Sequence, residues 1–155
     1  MGFADGFVEE ANSDIRGVVA AMTSSRAEPD EPRGGETVLL VEDDEEVRFL
    51  LYSILKADGY VVLEARDGEH ALEVVGAHTG RIHLILTDVR MPRLGGRDLV
   101  ETLLPRHSGM KVMFMSGFSK EDFPELEAHG VSVRFVQKPF MPKSLLRQIR
   151  RALDD

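Results

Sequence analysis

TVLLVEDDEEVRFLLYSILKADGYVVLEA, residues 37–65, decides the fold. TVLLV (37–41) is a short, continuous apolar run, the texture of a strand buried on both faces. An acidic cluster, EDDEE (42–46), follows it. Val47, Leu50, Leu51, Ile54 and Leu55 then recur at i, i+3, i+4, i+7 and i+8, the apolar stripe of an amphipathic helix. Asp58-Gly59 stops that helix, and YVVLEA (60–65) reads as a second strand.

The same alternation runs to the carboxyl terminus. GEHALEVVGAH (68–78) reads as a helix, HLILT (83–87) as a third buried strand, and a Pro/Gly loop leads to a helix near 96–106. KVMFMS (111–116) is the fourth strand, with Met113 and Met115 alternating as core residues. SKED from Ser119 is a capping box that opens a helix. VSVRFV (131–136) is the fifth strand, and the last helix starts near Pro142, a favourable first-turn position. Five strand–helix repeats predict a parallel α/β sheet covered by helices on both faces. In such sheets the ligand site lies beyond the carboxyl ends of the strands.

Upstream, TSSRAEPDEPRGGE (23–36) has the composition of a linker. Before it, Val8, Ala11, Ile15, Val18 and Met22 form two heptads of an apolar stripe. Two heptads are marginal alone, and Gly17 costs about 1 kcal/mol relative to Ala. Residues 1–22 are therefore read as a partly ordered arm, with dimerisation or docking on the domain as the alternative. The chain divides into that arm, the linker 23–36 and a folded domain, 37–155.

Composition narrows the function. The 155 residues suit about one domain, and 43% hydrophobic with 30% charged residues is ordinary for a globular protein. The absence of cysteine excludes disulfides, thiol nucleophiles and thiolate zinc sites. No apolar run approaches the roughly 18–20 residues that span a bilayer, and early acids without an apolar core argue against a secretory signal. A cytoplasmic protein without membrane attachment is expected. With 19 basic against 27 acidic residues the net charge is −8, which disfavours nucleic-acid binding. Residues 1–36 alone hold eight acids and three bases. Lys143, Arg147, Arg150 and Arg151 are read as cations complementing the dipole of the last helix.

The predicted strand ends carry the chemistry: Glu42-Asp43-Asp44 after the first strand, Asp88 after the third, Ser116-Gly117 after the fourth, Lys138-Pro139 after the fifth. Two carboxylates about 4 Å apart repel by roughly 4 kcal/mol at an effective dielectric near 20. A hard divalent cation such as Mg²⁺ relieves that repulsion. Lys138 and Ser116 then suit an anionic group, such as a phosphoryl group. The plainer account of EDDEE, acids serving as cap and dipole partners, suits Asp44 as N-cap but leaves Asp88 and Lys138 unexplained. His70, His78, His83, His107 and His129 lack metal-ligand spacing. There is no G-x-S-x-G, G-x-x-x-x-G-K or G-x-G-x-x-G.

TVLLVEDDEEVR, LTDVRMPRLGG, MFMSG and QKPF resemble, in order, the motifs of response-regulator receiver domains of two-component signalling. The resemblance covers residues 37–153. It implies a flavodoxin-like doubly wound sheet with strand order 2-1-3-4-5. It makes Asp88 the phosphoacceptor, a carboxylate nucleophile assisted by Lys138 and Ser116. Glu42 and Asp43 fall on the acidic pair, with Glu42 replacing the commoner Asp; whether Glu42 meets the metal directly or through water is left open. Asp43, Asp88 and the backbone carbonyl of Arg90 are the implied Mg²⁺ ligands, with Mn²⁺ as a substitute metal. Ser116 and Phe135 fall at the switch positions, and the Lys138–Pro139 peptide is expected to be cis. Arg90 and Phe118 flank the phosphoryl site, where the Phe118 ring is a candidate for slowing hydrolysis, against the plain reading of both as exposed loop side chains.

The implied function is a phosphorelay module, not an enzyme acting on a separate substrate. Its implied donor is a histidine kinase or a histidine phosphotransfer protein, and its output a switch in the face formed by the fourth strand, fourth helix, fifth strand and fifth helix. Homodimerisation through the arm, or through the fourth-helix to fifth-helix face, is a further expectation. The chain ends two residues after the resemblance, so no DNA-binding output domain is expected. SGF and GGETVLLVEDD resemble receivers attached to hybrid histidine kinases. The main alternative is an unphosphorylated interaction scaffold of the same fold. A haloacid-dehalogenase-like phosphatase would need an Asp where Arg90 stands, and flavin binding lacks a phosphate loop and a stacking aromatic pair.

Overall fold

The computed structural model of the protein describes residues 35–115 and 133–155. The arm, nearly all of the linker, Ser116, Phe118, the helix expected after Ser119, and His129 lie outside the described residues. The strands are β1 (Thr37–Val41), β2 (Val61–Ala65), β3 (Leu84–Asp88), β4 (Lys111–Met115) and β5 (Val133–Val136). The described helices are α1 (Glu45–Ala57), α2 (Gly68–Ala77), α3 (Gly96–Leu103) and α4 (Pro142–Asp154). Every strand pair is parallel, in the order β2-β1-β3-β4-β5. The expected boundaries shift by one to three residues: β3 extends to include Asp88, and α3 ends at Leu103 rather than near 106.

Period-2 alternation divides the core into two layers. Val38, Leu40, Leu84, Leu86, Met113 and Met115 face α1 and α4, meeting Leu51, Ile54, Leu145 and Ile149. Leu39, Val41, Ile85, Val112 and Phe114 face the other way, against Ala71 of α2 and Leu99, Val100 and Leu103 of α3. β1 and β3 are buried along their whole length, as their mostly apolar runs require. β2 is an edge strand with Val61 exposed, and it reads accordingly less apolar.

The caps follow from the sequence. Asp44 is the N-cap of α1: its Oδ1 accepts from the amides of Glu46 (2.9 Å) and Val47 (3.1 Å). Glu45 and Glu46 then lie in the first turn, where the helix dipole favours anions. Gly59 turns the chain out of the helix at φ 96°, a conformation that costs glycine little. The fold thus brings the ends of β1 and β3 side by side, with Val41 opposite Thr87.

Candidate functional site

The register delivers Glu42 and Asp88 as neighbours. Glu42 is the residue after β1, its amide still bonded to the Ala65 carbonyl of β2 (3.1 Å), and Asp88 is the last residue of β3. Both are buried, at 1% and 7% exposure, which is rare for carboxylates without a partner. Lys138, in the loop after β5, supplies the partner. Its Nζ lies 2.7 Å from Asp88 Oδ1 and 2.9 Å from Glu42 Oε2. The Lys138–Pro139 peptide in that loop is cis, as expected.

One ammonium therefore serves two buried carboxylates. Burial, and after it the hydrogen bond with Glu42, raise the Asp88 carboxyl, Lys138 pulls against both, and the balance lies at about 8. Burial also disfavours the Lys138 ammonium, but its hydrogen bonds to Asp88 and Glu42 prevail and hold it above the ordinary lysine range. Without another cation, the site is short of positive charge.

Asp43 completes the acidic set from the exposed side. Glu42, Asp43 and Asp88 each place one carboxylate oxygen within 4.8 Å of the others. Among the described residues no His joins them. A cluster made only of oxygen donors, two buried and one open to solvent, suits a hard cation that keeps some of its water. Glu42 is committed on both oxygens: Oε1 accepts the Asp44 amide (3.2 Å) and Oε2 accepts from Lys138. Of the two options left open for this glutamate, those bonds favour action through water, whereas Asp43 offers its carboxylate to solvent.

Several supporting contacts have no obvious signature in the sequence. The Arg48 guanidinium donates to the Glu42 carbonyl (2.8 Å) and lies 3.8 Å from Glu64, tying α1 to the end of β1. The Thr87 hydroxyl donates to the Asp88 carbonyl (2.9 Å). A Cβ at Gly96 would stand 1.9 Å from that same carbonyl, so the start of α3 presses directly on the backbone of Asp88. The Gly95-Gly96 pair is the one sequence signal that could have announced this close approach. Arg90 is exposed two residues beyond Asp88. Phe135 is half-buried in β5, its ring 5.5 Å from that of Phe114 and tilted by 31°. The structure thus joins Glu42, Asp43, Asp88 and Lys138, and places Phe135 on β5, two strands from Asp88, on the other core layer. Ser116 and Phe118 lie outside the described residues.

Two of the described histidines act as structural acceptors. His83 Nδ1 accepts the Thr37 amide (2.9 Å), and His70 Nδ1 accepts that of Arg66 (3.1 Å). No described helix is long and apolar enough to cross a membrane.

Comparison with known proteins agrees with this geometry. The sequence pattern of the response regulator receiver domain matches residues 38–150. The sensor kinase CckA of Brucella abortus (strain 2308) is 32% identical over 152 residues, covering 98% of this chain and 16% of the kinase. The transcriptional regulatory protein CpxR of Escherichia coli (strain K12) is 34% identical over 119 residues, covering 75% of this chain and 48% of the regulator. The chain thus spans half or less of these relatives' length. Among solved structures, the receiver domain of the hybrid histidine kinase CckA superposes with a TM-score of 0.64 at 34% identity, covering 76% of this chain and 98% of that one. The chemotaxis response regulator CheY4 of Vibrio cholerae gives 0.67 at 28% identity, covering 76% and 98%.

Proposed function

The chain belongs to the response regulator receiver domain family, and from that premise we propose that it is a phosphoacceptor of a two-component or phosphorelay system. Asp88 takes the phosphoryl group. The observation that carries this reading is the buried Asp88 carboxylate, 2.7 Å from Lys138 and grouped with the oxygens of Glu42 and Asp43.

A carboxylate oxygen of Asp88 attacks the phosphorus of a phosphohistidine on a histidine kinase or histidine phosphotransfer protein. The new O–P bond forms as the P–N bond breaks. The imidazole departs with the electron pair of that bond and takes up a proton, leaving an acyl phosphate on Asp88. Little covalent work falls to the protein, so positioning and charge balance dominate. Asp43 and Asp88, with the Arg90 carbonyl, would hold Mg²⁺ (or Mn²⁺), and Glu42 would support it from behind. When bound, the ion neutralises the carboxylates and the phosphoryl oxygens. Lys138 is placed to leave Asp88 Oδ1 for a phosphoryl oxygen while keeping its bond to Glu42.

The acyl phosphate draws Ser116 and Lys138 inward and shifts the balance between two arrangements of the β4–β5–α4 side, with Phe135 as the packing element. Phe135 has no hydroxyl, so packing alone sets its preference. A protein partner in the cytoplasm reads that face.

Intact mass after incubation with acetyl phosphate tests the chemistry. A Mg²⁺-dependent gain of one phosphoryl group in the wild type, absent in Asp88→Asn, is the expected result. No gain from acetyl phosphate or from a phosphorylated histidine kinase would overturn it and leave the family fold serving as an unphosphorylated scaffold.

A further inference from the structure

The exposed face of α4 carries cations that the phosphoryl site does not use. Lys143, Arg147 and Arg151 are all exposed and stand four residues apart along the 13-residue helix. At about 100° per residue they form one continuous row along the helix. Among the described residues no acid lies within ion-pair distance of any of the three. The dipole account of this basic set covers only its end: Arg151 lies in the last turn, but Lys143 lies in the first, where the helix dipole opposes a cation. Met141, at the N-cap of the same helix, is 72% exposed.

A second, independent contact ties the amino-terminal end of the described residues to this helix. Arg150, on the flank of the row, closes on Glu36 with Nη2 2.6 Å from Oε2 and also reaches the Tyr60 hydroxyl (3.4 Å). Glu36 is where the amino-terminal segment enters the sheet, so α4 holds the root of that segment. The segment itself is acidic. Residues 1–34 carry seven acids against three bases, and residues 1–15 carry four acids with no Lys or Arg.

We propose that the Lys143–Arg147–Arg151 row of α4 is the docking surface for the acidic arm of the same chain, residues 8–22. The lengths permit it. The twelve residues 23–34 extend up to about 40 Å, whereas α4 is about 20 Å long. In the helix that the arm's apolar spacing predicts, Glu10 and Asp14 stand one turn apart, matching the spacing of the cations on α4. Tethering at Glu36 makes the encounter intramolecular, which raises the effective concentration of an otherwise weak, exposed set of ion pairs. The arm then occupies a face that an acidic partner would otherwise take. This proposal stands apart from phosphoryl transfer, and its test does not involve Asp88.

The absence of native cysteine allows a clean measurement on the full chain. A nitroxide is attached at Asn12→Cys, and backbone amide intensities are read by NMR. The expected result is strong loss of signal for residues 143–151 but not for α3 on the opposite face of the sheet. The loss should disappear in about 1 M salt, where the screening length falls to about 3 Å. It should also disappear in Arg147→Glu with Arg151→Glu, and return when Glu10→Lys and Asp14→Lys are added. Undiminished signals in α4, equal loss in α3, or loss that survives the charge reversal would overturn the proposal. So would loss that appears equally in mixtures where the spin label and the isotope are on different chains, which would make the occupant a second copy.

Discussion

The two ends of the sheet solve the same problem in opposite ways. At the carboxyl end, two buried carboxylates share one lysine, and Asp88 is pushed up to about 8. At the amino end, one guanidinium serves a part-buried carboxylate and a largely exposed one: Glu36 pairs with Arg150 at 2.6 Å, and that hydrogen bond holds Glu36 below the ordinary glutamate range. The same guanidinium also bonds Asp154. Tyr60 lies beside the pair, its hydroxyl raised to about 12, chiefly by burial. The amino end serves stability, although among the described residues Glu36 Oε1 is buried there without a hydrogen-bond partner. The carboxyl end holds an excess of negative charge, which under the proposed function a metal and a phosphoryl group would relieve.

Substitution and pH break this comparison in graded steps. The largest effect is expected at Gly96, where a methyl group would sit 1.9 Å from the Asp88 carbonyl. Gly96→Ala should lower stability by about 3 kcal/mol in urea unfolding and slow the phosphorylation of Asp88, because the strand end must move. At Gly95 the nearest atom is 3.1 Å away, and Gly95→Ala should cost clearly less.

Arg150→Ala leaves Glu36 half-enclosed and unpaired. A loss of about 2 kcal/mol at pH 7 is expected. The Glu36 contribution is present above its unfolded value of 4.5 and is lost as the pH falls below it, because the folded protein binds that proton less readily than the unfolded chain. Chemical unfolding of wild type and Arg150→Ala should therefore converge on acidification; a constant gap would show that packing, not charge, is what Arg150 supplies.

Asp88→Asn should act in the opposite direction. The folded protein holds the Asp88 proton more tightly than the unfolded chain, so stability falls as the pH rises from about 3.8 to about 8. In metal-free buffer at pH 8 the amide variant should be more stable by on the order of 1–2 kcal/mol, visible as a higher Tm, with the advantage shrinking toward pH 4. Addition of Mg²⁺ should raise the Tm of the wild type more than that of the variant.

The smallest effect belongs to His83. Burial, with help from Arg81, lowers its proton affinity, and its Nδ1 already accepts the Thr37 amide. Stability should be full above pH 6.5 and decline as the pH falls below it, by at most about 1 kcal/mol. His83→Asn should flatten that part of the Tm profile.

Much of this was legible beforehand because strand ends are marked by abrupt changes of residue type. TVLLV turning into EDDEE and LILT into Asp88 showed where the apolar run meets the site, and parallel alternation put those ends on one edge. The close approach at Gly96 is not legible, because a glycine pair in a loop does not say what it meets. By local pattern Glu36 reads as the tail of a linker, and Arg150 as a dipole partner. Their pairing spans 114 residues, and no local pattern records it.

By itself, then, the sequence determined the alternation of strands and helices, the edge on which the chemistry lies, and the identities of Glu42, Asp43, Asp88 and Lys138. Periodicity and capping are local, and each element carries its own signal. Only the tertiary structure decided how charge is shared: which oxygen of Glu42 Lys138 takes, how far burial lifts Asp88, and which arginine closes on Glu36. Those outcomes depend on distance and on excluded water, and both exist only once the sheet has assembled.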